Sequence, residues 1–457
     1  VTAAMTPITA LAAPADLNEA AAQQEERLTL PIQSNEIENW PEGPAVGAEG
    51  AIVLEANTGV VLYAKNIHEK LYPASTTKLL TCLIAARECS MDEIVTFSHD
   101  AVFGIQQGSS NIGIDEGQAM TMEECLYGIL VASANEVAAA VAEHVAGSQE
   151  AFADMMNETA RELGCQDSHF VNPHGLFDEN HYTTAHDMAL IARELLKHEE
   201  YRSMMSETDY EIPPTNLQTE TRYLHGQHQM LNPNSIYYYK DAIGGKTGYT
   251  VEAGNTLVTY AERDGLTLIA VVMKCNGAEH YTDTAALFDY GFANYASVKV
   301  AAVSDYTSTV PVTETYNKKA VGLGKVTIAP SEDVYYTLPK GTDASAVTIK
   351  TDIPEGVEGA VKKGQTLGTL QLSYDGKTQT VDLIAQNAVD ALTDTQKAEL
   401  DKSSLSGIVK RVAIGAGIAV IVLLLIFCIT RFIGYRSYQR RKQLRRQRPH
   451  RRRNYRR

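Results

Sequence analysis

The sequence predicts an α+β domain, followed by a smaller all-β domain and a C-terminal transmembrane helix. Three observations lead to this prediction. Helical and strand-like segments occupy residues up to about 296, short alternating strands fill 297–392, and an uncharged apolar run lies near the C-terminus. With 457 residues and 44% hydrophobic content, the chain is long enough to form two or more cores.

Local sequence patterns predict the helices and strands of the first domain. β-rich runs on either side of Asn57-Thr58-Gly59 predict a hairpin. Residues 120–147 have apolar side chains at helical spacing and predict two helices that meet near Ser133. Beyond Lys246 the pattern changes to strands joined by a turn at Asp264-Gly265, so the domain should end in a sheet.

Charge is strongly segregated along the chain. The formal net charge is −16, but residues 431–457 contain 12 Arg, 1 Lys and no acidic residue. The part before this tail is therefore strongly acidic, and we expect no nucleic-acid partner. The 19 residues between Arg411 and Arg431 carry no charge, which is enough for one membrane-spanning helix.

The basic tail directly follows the predicted span. Positive flanks favour the cytoplasmic side, so the tail should be cytoplasmic and everything before Arg411 should lie outside. The small residues near Ala10–Ala12 resemble the end of a secretory signal. The predicted division is a signal remnant and acidic linker at 1–45, the α+β domain at 46–296, the β-rich domain at 297–392, a linker at 393–410, the transmembrane helix at 411–433 and the basic cytoplasmic tail at 434–457.

The cysteine and histidine patterns do not indicate a metal site. The six cysteines include no Cys-x-x-Cys pair, and their spacing is too irregular for a disulfide framework or a zinc site. We expect buried thiols instead. The twelve histidines include no H-E-x-x-H sequence, so neither a metal nor a cofactor is predicted.

Three short motifs suggest chemistry when they are taken together. They are Ser75-Thr-Thr-Lys78, Ser133-Ala-Asn135 and Lys246-Thr247-Gly248. The stretch "LYPASTTKLL" at 71–80 predicts a helix start that is capped by hydroxyls, with Ser75 and Lys78 on one face. Ser109-Ser-Asn111 also matches the second motif, but it lies in a glycine-rich loop typical of a turn.

These residue types suit acyl transfer through a serine. A serine hydroxyl is a poor nucleophile and needs an adjacent base, which for Ser75 would be Lys78. Lys78 can act as a base only when neutral, and burial beside a second cation, Lys246, favours that state. Ser133 can relay a proton to the leaving nitrogen, while Lys246 and Thr247 can hold a substrate carboxylate.

The remaining motif residues suit substrate binding. Asn135 offers its amide to a substrate peptide group, and Gly248 lets the substrate lie close to the backbone. A developing oxyanion needs two fixed N–H donors. The backbone N–H groups of Ser75 and Tyr249 are the candidates.

Several segments together resemble a known family. They are "PASTTKLLT", "SANEVAAAVAEHVAG", "NPHGL", "HYTTAHDMALIAREL" and "GGKTGYTVEAGNTLVTYAERDGLTLIAVVM". They are similar to the low-molecular-mass penicillin-binding proteins that are serine-type D-alanyl-D-alanine carboxypeptidases, closely over 46–296 and loosely over 297–392. The resemblance implies a β-lactamase/DD-peptidase-like fold, an antiparallel sheet with a helical cluster and the active site between them.

The resemblance also implies roles and partners. Ser75 would be the acylated nucleophile, Lys78 its base, and Ser133, Asn135 and Lys246 would complete the site with Thr247. The implied substrate is the stem pentapeptide of peptidoglycan, and β-lactam antibiotics would be covalent inhibitors. The expected location is a bacterial cell membrane, but the attachment by a full span rests on this sequence alone, because such enzymes often end in an amphipathic anchor. Two positions depart from the family pattern: Tyr249 stands where His is common, and Ala134 where Gly is common.

Alternative activities remain open at this point. The same scaffold supports β-lactamase, transpeptidase or endopeptidase activity, although no E-x-x-x-N motif for a class A β-lactamase occurs between Ser133 and Lys246. A catalytically inactive wall-binding scaffold is a further alternative. His174 and His181 could suggest a Ser-His pair, but loop histidines are more often packing partners.

Overall fold

The structure, a computed structural model, describes residues 22–446, except the side chains of residues 404, 445 and 446. The predicted signal remnant near Ala10–Ala12 and residues 447–457 of the predicted tail lie outside the described residues. Contacts divide the chain into two units. The first comprises Val1–Tyr306, Pro330–Asp352 and Gly368–Leu383, and the second comprises Thr307–Ala329, Ile353–Leu367 and Ile384–Arg457.

Helices and strands are numbered in chain order. The helices are α1 (22–28), α2 (Lys78–Glu88), α3 (His99–Phe103), α4 (Met122–Leu130), α5 (Asn135–Ala146), α6 (Gln149–Glu162), α7 (Ala185–Leu195), α8 (Glu199–Ser206), α9 (Glu279–Asn294) and α10 (Asp394–Arg446). The strands are β1 (Gly50–Glu55), β2 (Val61–Lys65), β3 (Ile94–Thr96), β4 (Ala119–Thr121), β5 (Asp209–Ile212), β6 (Arg222–His225), β7 (Ala242–Thr250), β8 (Gly254–Arg263), β9 (Leu266–Cys275), β10 (Tyr295–Ala301), β11 (Ser308–Tyr316), β12 (Lys319–Ala329), β13 (Val334–Pro339), β14 (Thr348–Asp352), β15 (Val357–Glu358), β16 (Thr366–Tyr374) and β17 (Lys377–Ala385).

An antiparallel sheet organises the first unit. Its five strands have the order β2-β1-β9-β8-β7, which leaves β7 at an edge. The predicted hairpin is confirmed, because β1 and β2 pair on either side of Asn57-Thr58-Gly59. The Glu55 carboxylate accepts the Thr58 N–H at 2.6 Å and fixes the turn. The sheet thus places the two N-terminal strands at one edge, where β1 pairs with the later strand β9.

The two faces of this sheet pack against different helices. Along β9, Ile269, Val271 and Met273 belong to the core that the helical cluster shares. Leu268 points the other way, because its side chain lies 2.6 Å from the position where a Cβ on Gly291 of α9 would be. This alternation follows from the two-residue period of a strand. The result is a helical cluster on one face and α9 on the other.

The helical cluster is built around α2. From Lys78 to Ala85 every residue of α2 is buried, so the helix is surrounded rather than amphipathic. The two helices predicted over 120–147 are α4 and α5, and α5 ends at Gly147 with a φ of +83°. These two helices meet at a tight turn that contains Ser133.

The N-terminal segment that the sequence assigns to a linker is partly packed. Arg27 and Trp40 are buried, and the indole Nε1–H of Trp40 donates to the carbonyl of Leu62 at 3.0 Å. The buried ammonium of Lys65 donates to the carbonyl oxygens of Arg27 and Val46. The segment therefore contributes polar contacts to the first unit.

The second unit contains paired strands and the long α10. Strand β11 pairs with β12 in an antiparallel ladder and with β15 in a parallel one, while Ile328 of β12 pairs with Ala385 of β17. The predicted all-β character of the C-terminal domain is confirmed. Helix α10 is long and apolar enough to cross a membrane, with a mean hydropathy of 3.1 in its most apolar window.

Candidate active site

Ser75 lies in a one-turn 3-10 helix, Ala74–Thr77, that leads directly into α2. Ala74 has a φ of +49°, a left-handed conformation that costs free energy for a residue with a Cβ. The prediction that hydroxyls cap this helix is wrong, since neither end of the turn shows a side-chain cap. The Thr76 hydroxyl donates to the Pro73 carbonyl at 2.7 Å, and Thr77 pairs with a histidine ring instead.

Lys78 begins α2 and its side chain is fully buried. Its Nζ lies 3.0 Å from Ser75 Oγ, 2.6 Å from Asn135 Oδ1 and 2.7 Å from the carbonyl oxygen of His174. Burial, and secondarily the charge of Lys246, hold the Lys78 pKa well below its usual value. A neutral amine next to the serine hydroxyl is therefore favoured.

Lys246 lies on the edge strand β7 and faces the turn between α4 and α5. Its Nζ donates to Ser133 Oγ at 3.0 Å and to the Thr247 carbonyl at 3.0 Å. Burial lowers the Lys246 pKa to about 8, so the amine stays mostly charged at neutral pH. Burial thus lowers the pKa of both lysines, and the charge of Lys246 lowers that of Lys78 further.

The turn that carries Ser133 is strained. Ser133 has a φ of +60°, and such conformations in non-glycine residues cluster at functional sites. Two residues later Asn135 begins α5, and its backbone N–H donates to the Ser110 carbonyl at 2.9 Å. The other S-x-N sequence forms a local turn, where the Ser109 hydroxyl donates to the Gln106 carbonyl at 2.7 Å.

Strand β7 passes directly beside the turn that bears Ser75. A Cβ on Gly248 would lie 2.9 Å from the Ser75 backbone nitrogen and 2.4 Å from Thr256 Oγ1, so only glycine lets the strand approach this closely. Thr247 is half-buried, and the Tyr249 side chain is 64% exposed. The structure therefore brings six predicted site residues together where the sheet meets the helices: Ser75, Lys78, Ser133, Asn135, Lys246 and Gly248. The other two, Thr247 and Tyr249, lie beside them on β7.

The loop between α6 and α7 completes the floor of this cleft, and sequence reasoning missed its role. The loop carbonyls of Pro173 and His174 accept hydrogen bonds from Thr81 Oγ1 and Lys78 Nζ. A Cβ on Gly175 would lie 1.9 Å from the Ala74 carbonyl oxygen. The signal in the sequence was "NPHGL", because a glycine in a loop often adopts a positive φ.

His181 is a structural partner of the nucleophile turn. Its Nδ1 accepts the Val171 N–H at 3.1 Å, which leaves Nε2–H to donate to Thr77 Oγ1 at 2.8 Å. Burial lowers the His181 pKa to about 3, so the ring is neutral at physiological pH. Its place beside Thr77 agrees with the prediction that the loop histidines are packing partners.

A sheet-and-helix domain with S-x-x-K, S-x-N and K-T-G motifs around one cleft is typical of the active-site-serine enzymes that recognise penicillin. Comparison with known proteins gives the same class. A family model described as D-alanyl-D-alanine carboxypeptidase matches residues 37–277, and a model for the penicillin-binding protein 5 C-terminal domain matches 295–391.

Individual relatives agree with these family matches. The chain is 33% identical to the D-alanyl-D-alanine carboxypeptidase DacF of Bacillus subtilis, over 77% of this chain and 86% of DacF. It is 29% identical to DacA of Escherichia coli K12, over 74% and 82%. Penicillin-binding protein 5 from Haemophilus influenzae superposes with a TM-score of 0.59 at 26% identity, covering 77% of this chain and 99% of that one.

The chain belongs to the peptidase S11 family of D-alanyl-D-alanine carboxypeptidases and carries the C-terminal domain of penicillin-binding protein 5. It is a D-alanyl-D-alanine carboxypeptidase and hence a hydrolase of peptidoglycan metabolism. The family implies peptidoglycan as substrate and binding of β-lactams.

Proposed function

We propose that the chain is a serine-type carboxypeptidase in which Ser75 is acylated by a peptidoglycan stem pentapeptide and the terminal D-alanine is released. The observation that supports this most is the environment of Lys78. Its Nζ touches the Ser75 hydroxyl and two carbonyl-type oxygens at once.

The two carbonyl contacts orient the Lys78 amine. A neutral amine has two N–H donors and one lone pair, and the oxygens of Asn135 and His174 can only accept. When both donors are used there, the lone pair faces Ser75 Oγ at 3.0 Å, so the hydroxyl becomes the donor. Lys78 thereby acts as the general base that takes the proton as Ser75 attacks the substrate carbonyl.

Lys246 and Ser133 serve the later part of acylation. As the C–N bond of the D-Ala-D-Ala peptide breaks, a proton passes from Lys78 through Ser133 Oγ to the leaving nitrogen. The Lys246 ammonium uses two donors on Ser133 and the Thr247 carbonyl, which leaves one for the carboxylate of the leaving D-alanine. The Thr247 hydroxyl would be its second contact, and water then hydrolyses the acyl-enzyme.

The edge strand β7 positions the substrate. An extended peptide can pair with the free edge of β7, while the Asn135 amide holds a peptide group on the opposite side of the cleft. The N–H groups of Ser75 and Tyr249 would bind the oxyanion, since Gly248 brings the strand against the Ser75 turn.

The membrane arrangement is also part of the proposal. The apolar part of α10 anchors the chain by a single span, the domains before it face the cell wall, and residues 434–457 face the cytoplasm. The experiment is protease treatment of bacterial protoplasts that express the chain with a C-terminal epitope tag. Digestion should remove the catalytic domain and leave a short tagged fragment, whereas loss of the tag would contradict this orientation.

The catalytic proposal is tested on the full chain in detergent with a synthetic stem pentapeptide, using mass spectrometry to follow the products. We expect release of one D-alanine per peptide, no release by Ser75→Ala and normal release by Ser109→Ala, the matched serine of the other S-x-N sequence. Rapid penicillin turnover would favour a β-lactamase, and cleavage of cross-linked peptides in preference to the pentapeptide would favour an endopeptidase. Failure of wild type to bind penicillin would favour an inactive scaffold.

A further inference from the structure

A second cluster of reactive side chains lies outside the cleft. Cys89 Sγ, a Glu93 carboxylate oxygen and a His144 ring nitrogen all lie within 4.8 Å of one another. We propose that Cys89, Glu93 and His144 form a binding site for a zinc-type divalent cation. The comparisons and motifs above assign no role to these residues.

The three donors match the preferences of zinc. Thiolate, imidazole and carboxylate are its usual protein ligands, at about 2.3, 2.0 and 2.1 Å. Tetrahedral coordination with bonds of these lengths places neighbouring donor atoms about 3.5 Å apart. Small side-chain movements would bring the three donor atoms from their present positions to this spacing. His144 Nε2 already lies 3.0 Å from Glu93 Oε2, a distance that an ion between them would extend.

The Glu93 carboxylate is oriented by the backbone around it. Its Oε1 accepts the Ser90 N–H at 2.7 Å, so Oε2 is the oxygen that faces His144. The turn itself is held to the start of α4, because the Glu93 carbonyl accepts the Met122 N–H at 2.8 Å. A ligand that is hydrogen-bonded through its other oxygen is the arrangement found around bound metals.

Two helix ends supply a field that favours a cation. Cys89 is the residue at which α2 ends, and His144 lies in the last turn of α5. The C-terminus of a helix carries partial negative charge from its free carbonyl groups. Two such ends converge on the cluster, so their charge adds to that of Glu93.

Solvent can supply the remaining ligand. Cys89 and Glu93 are half-buried and His144 is exposed, so an ion and a water molecule can reach the three donors. Binding exchanges the thiol proton of Cys89 for the metal, with release of one proton and no change of oxidation state. A site with three protein ligands and one water results.

The cluster lies at the far ends of the helices that carry catalytic candidates. Helix α2 begins with Lys78 and α5 begins with Asn135, while their last turns lead to Cys89 and contain His144. A bound ion would tie these ends together about 16 Å from Lys78, given 11 residues in α2. Its role would be to stabilise the fold and to protect a thiol outside the cell.

Sequence motifs could not reveal this set. The absence of Cys-x-x-Cys and H-E-x-x-H led to the expectation of no metal. The three ligands instead come from the end of α2, the turn before β3 and the end of α5, and Glu93 and His144 are 51 residues apart. Only the packing of the two helices brings them together.

The test uses the full metal-free chain in detergent, titrated with Co²⁺ and with Zn²⁺. We expect one Co²⁺ per chain with a thiolate-to-cobalt charge-transfer band, and a Tm raised by a few degrees when Zn²⁺ is present. Cys89→Ser should lose the band, and Cys89→Ser, Glu93→Gln and His144→Gln should each lose most of the Tm shift.

The chain offers a matched control and a second measurement. His99 and Glu116 form an exposed pair at 2.9 Å, so His99→Gln should leave the Co²⁺ band and the Zn²⁺ shift unchanged. Zn²⁺ should also slow alkylation of Cys89 by iodoacetamide at least tenfold, measured by peptide mapping. No charge-transfer band in wild type, an equal Tm shift in Cys89→Ser, or alkylation unaffected by Zn²⁺ would each overturn the proposal.

Discussion

Lys246 on the edge strand donates a hydrogen bond of 3.0 Å to Ser133 Oγ in the turn between α4 and α5. This contact joins the sheet to the helical cluster across the cleft. On the helical side, Asn135 two residues later accepts from Lys78 at 2.6 Å. One turn thus holds both lysines, Lys246 through the Ser133 hydroxyl and Lys78 through the Asn135 amide oxygen.

The first prediction concerns the nucleophile and its base. Ser75→Ala should abolish covalent labelling by a fluorescent penicillin, and Lys78→Ala should slow it by at least about 100-fold, the contribution typical of a general base. Lys78→Arg keeps length and charge but cannot be neutral near pH 7. Labelling of Lys78→Arg at a rate close to wild type would refute the base assignment, and retained labelling in Ser75→Ala would refute the nucleophile.

The second prediction concerns the pH dependence of penicillin acylation. The rate should rise as Lys78 loses its proton, at a pH well below the ordinary lysine pKa, and fall above about 8 as Lys246 becomes neutral. In Lys246→Ala the alkaline fall should disappear. The acid limb should move to higher pH, because the Lys246 charge helps to lower the Lys78 pKa. If both limbs of the pH–rate profile were unchanged in Lys246→Ala, the proposed effect of the Lys246 charge on Lys78 would be contradicted.

The sequence predicted the site residues because each belongs to a short motif whose order is informative. It favoured Ser133 over Ser109 because the Ser109 sequence lies in a glycine-rich loop typical of a turn. The structure places Ser133 beside Lys246 and Ser109 in a local turn. The fold class was also predicted from hydrophobic period, since strand and helix patterns in the first domain are clear.

Features that depend on contacts between distant segments could not be predicted. The His174 carbonyl that orients Lys78 is 96 residues away from it, and no side-chain type signals a backbone acceptor. The hydroxyls after Pro73 suggested capping, but Thr77 instead meets His181, 104 residues later. Local propensity predicts the conformation that a segment favours in isolation. Tertiary contacts then decide which hydrogen-bond partners its polar groups have in the folded protein.

The third prediction concerns stability and pH. Folding lowers the Lys246 pKa to about 8 from 10.5, so between these values the unfolded chain binds more protons than the folded one. The free energy of unfolding of wild type should therefore rise with pH in this window relative to Lys246→Met, by up to about 1.4 kcal/mol per pH unit. Urea unfolding followed by the fluorescence of Trp40, the single and buried tryptophan, measures it.

A matched variant separates this stability effect from the catalytic one. Burial lowers the Lys65 pKa to about 8 as well, and Lys65 donates to the backbone carbonyls of Arg27 and Val46 rather than to a site residue. The free energy of unfolding of wild type should rise with pH relative to Lys65→Met, as it does relative to Lys246→Met. Penicillin should still label Lys65→Met, whereas it should label Lys246→Met poorly. If the free energies of unfolding of wild type and Lys246→Met changed in parallel from pH 8 to 10, the Lys246 pKa would not be lowered by folding.

The last prediction concerns the contact between Gly175 and the nucleophile turn. Gly175 has a φ of +82°, and an added Cβ would lie 1.9 Å from the Ala74 carbonyl oxygen and 2.8 Å from Thr77 Oγ1. Gly175→Ala must therefore push the Ser75 turn or the His174 carbonyl away from Lys78. A shift of about 1 Å in such a site can cost about 100-fold in rate, so penicillin acylation should fall by that order.

Gly147 provides the control, because it has a φ of +83° but nothing within 4 Å of an added Cβ. Gly147→Ala carries the same cost of a left-handed backbone, about 1–2 kcal/mol of unfolding free energy, without a clash. It should therefore lower Tm slightly and leave the acylation rate unchanged. If both variants acylate at the wild-type rate, the loop does not position Ser75 and Lys78. If both lose the rate equally, backbone strain rather than the clash at Ala74 is responsible.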